Sequence, residues 1–280
     1  MELSLAQTVL VPALVALALL LLPRGPWCLQ RMPSQVTPWT ACCALTLAVV
    51  IAIVLLEGSS VFALTQRWYS LWLVAVVFAG ASLPAALPLH MPRNSPILLA
   101  GAAGLALLML RLPPLESWEA RLLLVAGGAL FAGRFAAVAT RLPRASALVL
   151  AIGMGSMAVT LLAAGSLKVG LIAISLTLAV GTAMLLPLRV PTLLLGGAFA
   201  ASGIVLLVSL AWYGAAYHGG GAVHRLGWAA IACSGVFLCA LPHQAPGRGH
   251  GAITFATIAS CALSIASTLH ALLATAASTE

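Results

Sequence analysis

The sequence predicts an all-α polytopic integral membrane protein of about ten transmembrane helices joined by short loops. Two observations carry that expectation. Charged residues make up only 6% of the 280 positions while 62% are hydrophobic, whereas a soluble domain carries about 25% charged residues. The apolar residues also gather into runs near the ~20 residues a helix needs to cross hydrocarbon. These runs lack the alternation of an outer-membrane barrel, and in lipid a helix satisfies its backbone hydrogen bonds within its own segment. Membrane lipid is the first partner the sequence implies.

In chain order the runs cover residues 4–22, 38–56, 69–88, 96–112, 121–140, 146–164, 169–188, 191–213, 227–241 and 252–274, a single transmembrane domain over 1–280. The first run has Glu2 and no Lys or Arg before it, so it lacks the basic start of a secretory signal and reads as a retained span. Pro23, Pro26, Pro33 and Pro38 punctuate the gap that follows. The third run ends in Leu87-Pro-Leu-His-Met-Pro-Arg-Asn-Ser-Pro96, where three prolines forbid a continuous helix. Pro113, Pro114, Pro143, Pro187, Pro191, Pro242 and Pro246 mark later borders. Pro12 and Pro84 fall inside spans, where kinks are expected. The ninth run is the shortest. Small-residue groups at Gly101/Gly104, Gly127/Gly128/Gly133, Gly153/Gly155 and Gly196/Gly197 suit close helix approach.

Loop charge orients the chain. Breaks after odd-numbered runs hold Arg24, Arg31, Arg93, Arg141, Arg144, Arg189 and Arg248, and those after even-numbered runs hold Arg67, Arg111, Arg121, Lys168 and Arg225. The positive-inside rule then favours an outside N-terminus. The net charge of +8 comes from residues scattered singly, which reads as topology and headgroup anchoring. Nucleic acid is not an expected partner. No break is long enough for a soluble domain, and no phosphate-binding glycine loop follows a strand.

Ionisable groups inside a bilayer are costly and default to function. Arg134 lies seven residues before Arg141, about 10 Å inside its helix end, and is a candidate for an ion pathway or a subunit-facing ion pair. Snorkelling is the plainer reading. Glu57 at the end of the second run is a candidate carboxylate relay, or an interfacial residue. His218, His224, His243 and His250 flank glycine- or proline-rich breaks without metal-ligand spacing, and read as solvated. The six cysteines form no CxxC pair and read as buried thiols. No metal site, cofactor motif or catalytic constellation emerges, so the chain is not expected to be an enzyme by itself.

Leu87-Pro-Leu-His90, followed by Ser95-Pro-Ile-Leu-Leu-Ala-Gly101, resembles the proton-conducting antiporter-like membrane subunits of respiratory complex I, Mrp antiporters and membrane-bound hydrogenases. Downstream, Phe131-Ala-Gly-Arg-Phe-Ala-Ala137, the basic turn Arg141-Leu-Pro-Arg144 and Gly153-Met-Gly-Ser-Met157 are similar to that family's order of helix, basic turn and small-residue segment. The likeness covers about residues 80–190 and places His90 at the edge of an ion pathway. The family's lysine falls near Leu83, and its later His and Lys relay near Ile174, Leu178 and Thr182. Apolar replacements break a proton relay. The resemblance therefore implies a structural or coupling subunit of a larger proton-linked complex in a bacterial inner membrane, with other membrane subunits as partners. The alternative is a stand-alone ten-helix carrier of a small metabolite, of the drug/metabolite type.

Overall fold

A computed structural model describes residues 5–21, 36–58, 62, 67–86, 95–111, 117–189, 196–218, 222–241 and 250–277. These residues form helices and turns, with no strand among them. The helices are α1 (Leu5–Leu21), α2 (Val36–Glu57), α3 (Ser70–Ala86), α4 (Ser95–Leu108), α5 (Trp118–Ala139) and α6 (Pro143–Ala163). They continue as α7 (Leu167–Arg189), α8 (Gly197–His218), α9 (Ala222–Ala232), α10 (Val236–Cys239) and α11 (His250–Ala277). A short 3-10 turn, Arg67–Tyr69, leads into α3.

Local chemistry sets several of these borders. The Ser117 side chain accepts from the Ala120 N–H at 3.3 Å, and Glu119 lies in the first turn, so α5 starts with a capped and charge-matched end. Pro143 occupies the first turn of α6, where its missing N–H costs nothing. Helix α6 stops at Gly165, whose φ of +84° suits glycine. There the Gly165 N–H donates to the Leu162 carbonyl and the Ser166 N–H to the Leu161 carbonyl, the paired bonds of a Schellman stop. Helix α7 begins at once, its Gly170 N–H donating to the Ser166 carbonyl. Pro12 and Pro84 do lie inside α1 and α3.

The bundle is organised around α8, which packs against α2, α3, α4, α5, α6 and α9. Every residue from Gly197 to Leu207 is buried. Gly197, Ala198, Ala200, Ala201, Ser202 and Gly203 keep that stretch narrow enough for neighbours on all sides. By contrast α11 is only 28% buried over its apolar window, against 78% for α8, so most of its face points outward from the bundle.

The expectation of ten spans is met only in part. Four helices are long and apolar enough to cross a membrane over their described residues: α5, α6, α8 and α11. Five further apolar segments, Gln7–Leu19, Ala41–Glu57, Ser70–Ala85, Ser95–Leu108 and Leu167–Ala183, are shorter. The ninth run is two pieces. Helices α9 and α10 meet at Cys233-Ser234-Gly235, where the Ser234 N–H turns back to the Ile231 carbonyl and the Val236 N–H to the Cys233 carbonyl.

Helix contacts sort the glycines into two kinds. A Cβ on Gly133 would stand 2.7 Å from the Ala100 Cβ and 2.9 Å from the Pro96 carbonyl oxygen, so α4 and α5 touch backbone to backbone there. Gly197 also meets backbone, at 3.2 Å from the Ala136 carbonyl oxygen, Gly128 and Gly153 meet only side chains, and Gly101 and Gly127 face open space. Cys42 and Cys239 are buried as expected of apolar thiols, but Cys233 at the break is exposed.

Candidate functional site

One end of the bundle gathers a set of mutually bonded polar side chains. Glu57, the last residue of α2, accepts from the Tyr69 hydroxyl at 3.1 Å on Oε2 and from the Lys168 ammonium on Oε1. Its side chain is 12% exposed against 58% for Lys168, so the carboxylate is sheltered and the ammonium reaches in from the rim. Two residues before Lys168, the Ser166 hydroxyl hydrogen-bonds His218 Nε2 and stands 3.4 Å from the Tyr213 hydroxyl. The Tyr213 ring lies 4.7 Å from Tyr217 and 6.3 Å from His218. Nearby, the Arg111 N–H donates to the Ser70 hydroxyl at 3.2 Å, and the Arg121 guanidinium donates to the Leu108 carbonyl. These ties bring the ends of α2, α4, α6 and α8 together with the starts of α3, α5 and α7. An ion pair, a histidine and three phenols at one rim can fasten helix ends and exchange protons with the adjoining water. They do not extend a titratable path into the bundle.

The other site candidates are placed elsewhere. Arg134 is sixteen residues along α5 from Trp118, about 24 Å from the Glu57 end at ~1.5 Å per residue. It is exposed, and its Nε donates to the Cys239 carbonyl at 3.3 Å. That bond fastens the end of α10 to α5 through a backbone carbonyl. His90 lies outside the described residues. Glu57 and Arg134 thus do not form one site. His218, read from sequence as a solvated loop residue, instead closes α8 against the α6–α7 turn. Among the described residues, no group of three or more His, Cys, Asp or Glu stands together as a metal site would require.

No family model, curated protein or solved structure matches the chain. The antiporter-like wording therefore rests on the sequence motifs alone.

A second feature lies on the flank of the bundle. A cleft of about 870 Å³ opens between α5, α8 and α9, large on the ~300–1,000 Å³ scale of small-molecule pockets. It is lined by small residues such as Gly127, Ala211 and Ala229 and by the rings of Phe131, Trp212 and Trp228. The lining is almost wholly apolar. An apolar lining of this kind gives water few partners.

Proposed function

We propose that the chain is an antiporter-like membrane subunit with a structural or coupling role in a larger proton-linked complex. The observation that carries this reading is what occupies the relay positions. Leu83 is 41% exposed on α3 and Leu178 38% exposed on α7; Ile174 is packed against the apolar core. Thr182 donates its hydroxyl to the Ala179 carbonyl of its own helix at 3.0 Å. None carries a side chain that gains or loses a proton near neutral pH, as the lysines and histidine of a relay do. Glu57 and Lys168, a charged pair among the described residues, tie helix ends together.

In this reading the protein sits in a bacterial inner membrane with its N-terminus outside, which puts the Glu57 end on the outer side. Its partners are other membrane subunits, docked against the outward-facing apolar helices. The carrier reading draws less support from the cleft, because a polar metabolite would find few hydrogen-bonding groups on Leu, Ala, Gly, Phe and Trp. Purification from native membranes in a mild detergent tests the proposal. A fixed stoichiometry of co-purifying membrane subunits is expected. A lone, stable monomer with no such subunits overturns it.

A further inference from the structure

We draw no further inference here: the strongest candidate, the apolar cleft between α5, α8 and α9, carries nothing because nothing in the structure shows what covers it.

Discussion

Replacing Gly133 by alanine probes the close approach of α4 and α5. The new methyl would lie 2.7 Å from the Ala100 Cβ and 2.9 Å from the Pro96 carbonyl oxygen. Neither is the free end of a flexible side chain, so two helices must separate by several tenths of an ångström. Overpacking of this kind costs about 1–3 kcal/mol, and alanine returns up to about 1 kcal/mol of helix propensity. A net loss of about 1–2 kcal/mol follows, or a melting temperature lower by roughly 3–6 °C. Gly127→Ala is the internal control, because a Cβ there meets nothing within 4 Å. It should keep the propensity gain and melt at or slightly above the wild-type temperature. The assay is thermal unfolding in one detergent, followed by tryptophan fluorescence, with all three proteins measured together. A Gly133→Ala protein as stable as Gly127→Ala would refute the close approach of α4 and α5.

Other expectations concern the ties between elements. The Glu57–Lys168 pair should give a coupling of about 0.5–1 kcal/mol in a double-mutant cycle with Glu57→Gln and Lys168→Ala, the modest value reflecting the 58% exposure of Lys168. That coupling should shrink as salt rises from 0.01 to 1 M. Arg134→Gln removes the bond to the Cys239 carbonyl and should speed maleimide labelling of Cys239, which is only 9% exposed. Labelling at the wild-type rate would mean that Arg134 does not hold α10. Gly235→Ala would bring a methyl within 2.5 Å of the Phe135 ring and cost about 1–3 kcal/mol, and Phe135→Leu in the same chain should recover most of the loss.

The helices were legible in sequence because apolar runs bounded by proline and glycine leave hydrocarbon few other solutions. Pro143 and Gly165 lie where α6 starts and stops. The break between α9 and α10 was not legible, since Cys233-Ser234-Gly235 carries neither charge nor proline and sits in a run that reads as continuous. Glycine spacing showed that small residues would meet other helices but not which ones. Gly133 is confined and Gly127 is open because only the rotation of α5 decides it. The polar end was the larger omission. Glu57 was visible as a candidate, but Tyr69, Ser166, Lys168, Tyr213 and His218 come from three distant stretches that meet only through tertiary packing. The three glycines after His218 suggested a solvated loop. The signal that pointed the other way was Tyr213, Tyr217 and His218 spaced four and five apart at a helix end, facing a Gly-Ser stop.

On the proposed function, this bundle supports proton-linked work without carrying protons itself. The most direct measurement reconstitutes the isolated chain in liposomes, imposes a potassium diffusion potential, and follows the internal pH with a trapped dye. Acidification at the rate of protein-free vesicles, unchanged by Glu57→Gln, is expected. Proton entry that rises with the amount of protein and is lost in Glu57→Gln would contradict it.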